Sequence, residues 1–128
     1  MGFSDNVIAT ARVDGKPLTE LETKSRTQED RMNKTEALYT IELEAQRGAG
    51  EITRWAFESL KFRLANRTWY TPDFAAWLTS GGVRVVEVKG GFIRDDAAVK
   101  FKVAREMYPE FEWVCMQRTK AGWRQVLT

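Results

Sequence analysis

The stretch 29–47 places apolar side chains at the three- and four-residue spacing that is typical of a helix. Its apolar stripe consists of Leu38, Ile41 and Ala45, with Leu43 off the stripe. Asn33 or Thr35 is suited to cap the first turn, because a short polar side chain can accept a hydrogen bond from a free backbone N–H. Gly48-Ala49-Gly50 predicts the end of the helix.

A second helix is predicted from Asp95 or Asp96 to about Met107. One stripe contains Val99, Val103 and Met107, which we expect to face the core. Pro109 stops the helix, because proline lacks the backbone N–H that a further turn requires.

The rest of the chain from residue 52 onward favours strands, because apolar and polar residues alternate or form short apolar runs. The predicted strands are 52–57, 60–64, 69–78, 83–88, 111–116 and 123–127. Asn66-Arg67 and Ser80-Gly81-Gly82 predict tight turns. The order is one helix, three or four antiparallel strands, a second helix and two further strands, which predicts an α/β (α+β) fold.

Residues 1–28 contain few large apolar side chains and many Thr, Glu, Lys and Asp. We interpret them as an N-terminal arm or docked extension, with one domain over residues 29–128. The segment 7–13 is suited to a short strand, and Asp14-Gly15 to a turn. Arms of this kind pair with a second subunit or lie on a ligand, so a homodimer through the arm is one expectation.

A chain of 128 residues with 43% hydrophobic composition suits one globular domain. It contains no apolar run near the roughly 20 residues needed to span a bilayer, and no signal-peptide pattern at its start. We therefore expect a soluble cytoplasmic protein without a membrane partner. Cys115 is the single cysteine, and its apolar neighbours predict a buried structural thiol rather than a nucleophile.

The chain contains no histidine, which excludes most zinc sites, HNH-type nucleases, and serine or cysteine triads. Oxygen ligands favour magnesium or manganese. Charge is distributed unevenly: residues 1–60 carry 8 basic and 11 acidic side chains, whereas residues 61–128 carry 12 basic and 7 acidic ones. The second part, with a net charge of +5, is compatible with a polyanionic partner.

The chemistry centres on two acids and a lysine in the basic part of the chain. Glu87 and Lys89 lie two residues apart in a predicted strand and so share one face, opposite Val86 and Val88. If Asp73 lies across from Glu87, both carboxylates come within reach of one metal ion. A bulge at Pro72 would change the direction of the Asp73 side chain.

Such a site suits phosphodiester hydrolysis, which needs an activated water and neutralisation of phosphorane charge. The Val88 carbonyl is a further candidate metal ligand, and Lys89 is suited to orient the water. Gly90 and Gly91 allow a phosphate backbone to approach closely. Glu36 can supply a third carboxylate, or instead be a solvated or capping-box residue.

The candidate DNA contacts are basic side chains on or near the second helix. Lys100 is the first of them; the weaker ones are Lys102, Arg105 and Arg94. An ordinary solvated helix face is the alternative for Lys100 and Lys102. The five tryptophans favour core packing, with Trp69 and Trp77, near the motif, as the two exceptions suited to base stacking.

The chain resembles the PD-(D/E)xK nuclease superfamily over residues 31 to about 118. The resemblance is carried by Asn33-Lys34-Thr35-Glu36, Tyr70-Thr71-Pro72-Asp73-Phe74, Glu87-Val88-Lys89-Gly90 and Lys100-Phe101-Lys102. Within the superfamily, the chain is more similar to small phage-encoded endonucleases, and it also resembles the bacteriophage Holliday junction resolvases, which are intertwined dimers. The resemblance implies a restriction-endonuclease-like αβββαβ core, with a mixed central sheet flanked by helices, and the catalytic set Asp73, Glu87, Lys89 and Glu36.

The main hypothesis is a Mg²⁺-dependent endodeoxyribonuclease, with Mn²⁺ able to substitute, acting on nicked or branched DNA. One alternative is a non-catalytic DNA-binding or assembly protein on a nuclease fold. Another is an RNA-directed nuclease. The chain shows no obvious second DNA-binding module, so structure-directed or weakly specific cutting is favoured over sequence-specific restriction.

Overall fold

A computed structural model describes residues 32–91 and 95–127, and within these ranges the chain forms two helices and seven strands. The helices are α1, Lys34–Gly48, and α2, Asp95–Met107. The strands are β1, Ile52–Phe57; β2, Phe62–Ala65; β3, Thr68–Tyr70; β4, Phe74–Leu78; β5, Val83–Lys89; β6, Glu112–Thr119; and β7, Gly122–Val126. The predicted arm, residues 1–28, lies outside the described residues, as does Arg94.

Five strands form one mixed sheet in the order β1-β4-β5-β6-β7, and β2 and β3 form a separate two-stranded hairpin. Strands β5 and β6 are parallel, with α2 as their connection, and the other neighbours are antiparallel. The predicted class, a mixed sheet flanked by helices, is confirmed. The order α1, β1, β4, β5, α2, β6 matches the predicted αβββαβ core, with the hairpin inserted after β1 and β7 added at the end.

The sheet is covered on both faces. One face packs against α1, and its core residues are Tyr39, Leu43, Ile52, Phe57, Phe74, Ala76, Val86 and Val88. The other face packs against α2 and the hairpin; its core includes Phe62, Tyr70, Ala75, Val85, Phe101, Ala104, Tyr108 and Trp113. Burial on both faces explains the run of valines in β5, because neither side of that strand faces water. Neither described helix is long and apolar enough to cross a membrane.

The buried face of α1 differs from the predicted stripe. Tyr39 and Leu43 are buried, whereas Ile41 is 63% exposed and Ala45 is exposed. The prediction was wrong because Tyr39 and Leu43, four residues apart, form a second apolar face that competes with the aliphatic stripe. The Tyr39 ring decides the outcome, packing edge-on against Trp123 with 5.0 Å between ring centroids.

The start of α1 also differs from the predicted start at residue 29. The helix begins at Lys34, with Asn33 as its N-cap. Of the two predicted caps, Asn33 is therefore confirmed, and Thr35 lies within the first turn.

The buried face of α2 also differs from its predicted stripe. Val99, Val103 and Met107 are exposed, at 58%, 37% and 47%. Phe101 and Ala104 are buried instead, and Phe101 packs against Trp113 of β6. The larger aromatic surface therefore occupies the core, and the aliphatic stripe faces outward.

The predicted strand 69–78 is two strands in two different sheets. β3 ends at Tyr70 and β4 begins at Phe74, so the residues around Pro72 carry the chain from the hairpin into the main sheet. Pro72 is fully buried and has no N–H to donate to a ladder, which explains the break. The expected bulge within one strand is therefore wrong. The predicted turn at Asn66-Arg67 is confirmed as the hairpin turn.

Two alanine substitutions test the corrected face of α1. Leu43→Ala should lower the free energy of unfolding by about 2–5 kcal/mol, because a fully buried side chain leaves a cavity. Ile41→Ala, on the exposed side of the same helix, should change it by less than about 0.5 kcal/mol. Urea denaturation followed by circular dichroism measures both. Similar losses for the two variants would contradict the assignment of the buried face.

Candidate functional site

The site forms where β4 begins and β5 ends. The antiparallel register pairs Phe74 with Val86, and continuing it by one residue sets Asp73 opposite Glu87. The backbone ladder stops there, and an Asp73 carboxylate oxygen accepts a hydrogen bond of 2.8 Å from the Val88 N–H. Asp73 is therefore fixed against β5 by a side-chain contact that continues the ladder. Both acids are buried, with Asp73 8% and Glu87 7% exposed.

Both carboxylate oxygens of Glu87 have partners within the protein. The Tyr70 hydroxyl donates to Oε1 over 2.6 Å, and Lys89 Nζ lies 3.0 Å from Oε2. Glu87 and Lys89 share one face of β5, and Val86 and Val88 lie on the opposite, α1-facing side, as the pleat predicts. Glu87 thus continues the row that begins with the buried Val83 and Val85. The salt bridge between Lys89 and Glu87 therefore lies in a largely buried place.

Glu36 has two contacts. One is a capping box: its Oε1 accepts from the Asn33 N–H over 2.9 Å, and its own N–H donates to Asn33 Oδ1 over 2.8 Å. The other is a hydrogen bond to Asp73, which brings the first turn of α1 to the two strand ends. The roles of capping acid and site acid, alternatives in the sequence, are therefore compatible in one side chain.

Gly90 explains how α1 comes so close to β5. A Cβ atom at this position would lie 3.2 Å from the Thr35 hydroxyl, which is tighter than an ordinary contact. A residue without a side chain therefore lets the first turn of α1 rest on the end of β5. This contact places Glu36, the next residue of that turn, beside the site.

Three carboxyl groups and one lysine determine the electrostatics of the site. Burial raises the pKa of Asp73, the nearby charge of Glu87 raises it further, and so does the hydrogen bond that the protonated Asp73 donates to Glu36; the Val88 N–H opposes these effects. Burial works against the charge on Lys89, but the adjacent Glu87 outweighs it and the pKa of Lys89 is raised. Lys89 is therefore a cation among several carboxyl groups, and a further positive charge would be favourable there.

Tyr70 is a member of the site to which the sequence motif gave no role. Burial raises the pKa of its hydroxyl, and the charge of Glu87 raises it further, so Tyr70 stays a neutral donor. The two-residue alternation of β3, which sets Tyr70 on the opposite face from Trp69, is the pattern that could have identified it.

The oxygen donors suit a hard cation. Magnesium is commonly held by one or two carboxylates and keeps several waters, so Asp73, Glu87 and the Val88 carbonyl form a fitting donor set. In residues 32–91 and 95–127, no group of three His, Cys, Asp or Glu side chains is already arranged around one ion position. Glu36 therefore counts as a neighbour of the donor set rather than as a preformed third ligand.

The predicted DNA contacts are not all brought together. Lys100 is exposed and its Nζ lies 3.4 Å from the Trp69 carbonyl, so it faces the hairpin. Lys102 is exposed on α2. Arg105 instead donates to the Leu127 carbonyl and lies 5.7 Å from the Phe101 ring centroid, which ties it to the packing of α2.

The single thiol is not part of this site's chemistry. Cys115 is buried, and burial raises its pKa to about 11, which agrees with a structural role.

The raised pKa of Asp73 predicts how the stability of the metal-free protein depends on pH. Below the unfolded-state pKa of about 3.9 both states are protonated, whereas above it the unfolded chain releases a proton that the folded site retains. Stability should therefore fall as pH rises. Asp73→Asn replaces the ionisable carboxyl group with a neutral amide. It should therefore be more stable than wild type at pH 8, by on the order of 1 kcal/mol or more.

Thermal unfolding in EDTA between pH 4 and pH 8 measures this difference. The advantage of Asp73→Asn should shrink toward zero near pH 4. Glu106→Gln, which removes an exposed acid from α2, serves as the control and should show no such trend. An advantage of Asp73→Asn that is the same at every pH would contradict the prediction.

Comparison with protein-family models, with curated proteins and with solved structures finds no match to this chain. The function therefore has to be inferred from the site itself. Its defining features are a buried carboxylate pair on adjacent strands, an ion-paired lysine and a tyrosine donor.

Proposed function

We propose that this protein is a magnesium-dependent endodeoxyribonuclease that hydrolyses DNA phosphodiester bonds, with Mn²⁺ able to replace Mg²⁺. The observation that carries the proposal is the carboxylate pair Asp73 and Glu87 at adjoining strand ends, with Lys89 ion-paired to Glu87. Glu36 is the fourth member of the catalytic set, since it contacts Asp73 from α1. The resemblance to PD-(D/E)xK nucleases supports the same assignment.

The chain's own groups suit phosphodiester hydrolysis. A bound magnesium ion supplies Lewis acidity and a more acidic water. Lys89 stays cationic beside Glu87, so it offers positive charge where negative charge develops on the phosphorane. Gly90 and Gly91 are exposed directly after β5, which leaves room for a phosphate backbone beside Lys89.

Two neighbours hold the acids in place. The Val88 N–H fixes the direction of the Asp73 carboxylate, and the Tyr70 hydroxyl fixes that of Glu87. Hydrogen bonds of this kind orient ligands and tune their basicity. Tyr70 is therefore a positioning residue in this proposal.

Three finer features of the proposal follow the same resemblance: a restriction-endonuclease-like version of the α/β fold, cutting of nicked or branched DNA, and a homodimer formed through residues 1–28. A cytoplasmic location, expected from the sequence composition, is also part of the proposal. The excess of basic over acidic side chains in residues 61–128 supports a polyanionic substrate.

A non-catalytic DNA-binding protein is the second candidate, and one observation favours it. Both oxygens of Glu87 already have partners within the protein, and the described ranges hold no converged three-ligand group. In that case DNA binding would persist in EDTA, and no divalent ion would produce nicks.

Cleavage of supercoiled plasmid tests the catalytic proposal. Wild-type protein should nick it with Mg²⁺ or Mn²⁺ and stop in EDTA. Asp73→Asn and Glu87→Gln should each reduce the rate at least about a hundredfold, because the metal's contribution of several kcal/mol depends on these carboxylates. Glu42→Gln, which removes an exposed glutamate of α1, should cut at the wild-type rate.

A measurement of metal binding separates loss of the ion from loss of the fold. Mg²⁺ should raise the melting temperature of wild type and of Glu42→Gln, but not that of Glu87→Gln. Cleavage that survives both Asp73→Asn and Glu87→Gln would overturn the assignment. Full stabilisation of Glu87→Gln by Mg²⁺ would remove Glu87 from the donor set.

Tyr70→Phe tests the positioning role of the tyrosine. The variant keeps the buried ring but removes the only donor to Glu87 Oε1 that the described part of the chain provides. Loss of such a supporting contact typically costs about 10–100-fold in metal affinity or activity. We expect a higher Mg²⁺ concentration for half-maximal cleavage. An unchanged Mg²⁺ dependence would show that Tyr70 contributes packing alone.

A further inference from the structure

The outer face of the β2–β3 hairpin combines positive charge with an exposed aromatic ring. Residues 61–71 contain three basic side chains, Lys61, Arg63 and Arg67, and no acidic one. All three are exposed. Trp69 lies directly opposite Arg63 in the hairpin register and is 38% exposed, the one tryptophan among the large exposed side chains of the described residues.

The inner face of the hairpin is firmly anchored. Phe62 is fully buried and Tyr70 is 6% exposed, and both belong to the core beneath α2. Since strand side chains alternate, this burial forces Arg63 and Trp69 to point outward. The exposure of Trp69 is therefore imposed by the fold of the hairpin.

Two side chains hold the hairpin backbone, one on α2 and one directly after it. Lys100 Nζ lies 3.4 Å from the Trp69 carbonyl, and the Tyr108 hydroxyl donates to the Arg63 carbonyl over 2.7 Å. The backbone carbonyls of both outward-facing residues, Arg63 and Trp69, are thus held by side chains of the α2 region. A hairpin backbone held in this way loses little freedom when a ligand binds to its outer face.

A flexible lysine lies over the Trp69 ring. Lys61 Nζ lies 5.0 Å from the centroid of the Trp69 ring, and both side chains are exposed. A lysine in this position can move to a phosphate while a base takes its place on the ring, because both contacts use flexible, solvated groups.

We infer that this hairpin face binds unpaired DNA, with a base stacked on Trp69 and the adjoining phosphates held by Lys61, Arg63 and Arg67. A positively charged groove or ridge with a stacking ring is the general means of binding single strands, because every base has a π-face. Bases inside a duplex are stacked on each other and do not offer that face. The inference rests on the proposed nuclease function, and it narrows the substrate to DNA with a single-stranded part.

The position of the hairpin relative to the site fits this role. Trp69 and Tyr70 are consecutive in β3, and Tyr70 donates to Glu87. The outer face that would hold the DNA therefore belongs to the same β-strand whose inner face supports the carboxylate pair. The β-strand β3 would thus link the recognition of an unpaired DNA segment to cleavage of the DNA next to it.

The first test is equilibrium binding in EDTA, which needs no cleavage. Labelled oligo(dT), a blunt mixed-sequence duplex and the same duplex with a single-stranded flap are titrated with full-length protein. Trp69→Ala should weaken binding of oligo(dT) and the flap by about 5- to 150-fold, the usual effect of losing one stacked base. Trp69→Phe, which keeps a ring, should retain most of the affinity, and the blunt duplex should be bound equally by all three proteins.

The second test is the salt dependence of oligo(dT) binding. Removing one phosphate contact from a single strand should reduce the slope of log affinity against log salt by about 0.7. We expect this for Lys61→Ala and Arg67→Ala. Lys120→Ala removes an exposed cation at the β6–β7 turn and should leave the slope unchanged.

The outcomes separate the two proposals. Trp69-dependent binding without Mg²⁺-dependent cleavage would support the hairpin site and reject the nuclease. Cleavage abolished by Glu87→Gln, with oligo(dT) binding unaffected by Trp69→Ala, would support the nuclease and reject the hairpin site. An equal loss on the blunt duplex would also overturn the hairpin site, as would tighter binding of a matched RNA strand than of the DNA strand. Trp69→Phe keeps the test valid if Trp69→Ala does not fold.

Discussion

The structure depends on the burial of charge at the end of β5. This strand is covered on both faces, yet it carries Glu87 and Lys89 next to a second acid, Asp73. An isolated buried carboxylate is strongly unfavourable, so each of these groups needs a partner. Tyr70 and Lys89 provide partners for Glu87, and the Val88 N–H provides one for Asp73. The ion pair adds little stability of its own, because desolvation offsets much of the attraction.

Each layer of the fold contributes to this arrangement. The hairpin supplies Tyr70, the main sheet supplies the acid pair and the lysine, and α1 supplies Glu36 through its capping box. The close approach at Gly90 is what allows the helix to take part. The site is therefore a meeting point of three elements, and none of them alone holds the full set of groups.

Much of the site could be predicted because it depends on local regularities. The two-residue period of a strand is enough to place Glu87 and Lys89 together, and the tight turn before Val83 brings the preceding strand alongside. Hydrophobic patterning likewise indicates helices at both ends of a group of strands, whereas the mixed sheet, with β5 parallel to β6, was expected only from the family resemblance.

The features that could not be predicted depend on tertiary packing. Aromatic contacts decide which side of each helix is buried: Tyr39 against Trp123 turns Ile41 outward, and Phe101 against Trp113 turns Val99 outward. Hydropathy alone favours the aliphatic stripes as the buried faces of the helices. The change of sheet at Pro72 was also missed, because an apolar run on both sides of a proline resembles one interrupted strand. That change of sheet is what gives Tyr70 its place beside Glu87.

The passage of the chain from one sheet to another at Pro72 has an evolutionary consequence. The register of Asp73 against Glu87 is set by β4, β5 and the turn that joins them, and the length of the hairpin does not enter into it. Insertions, deletions or new side chains around Asn66-Arg67 can therefore accumulate without moving the acids. In the proposed nuclease, substrate preference could diversify while the chemistry stays constant, because the hairpin is joined to the main sheet by two short connections, residues 58–61 and 71–73.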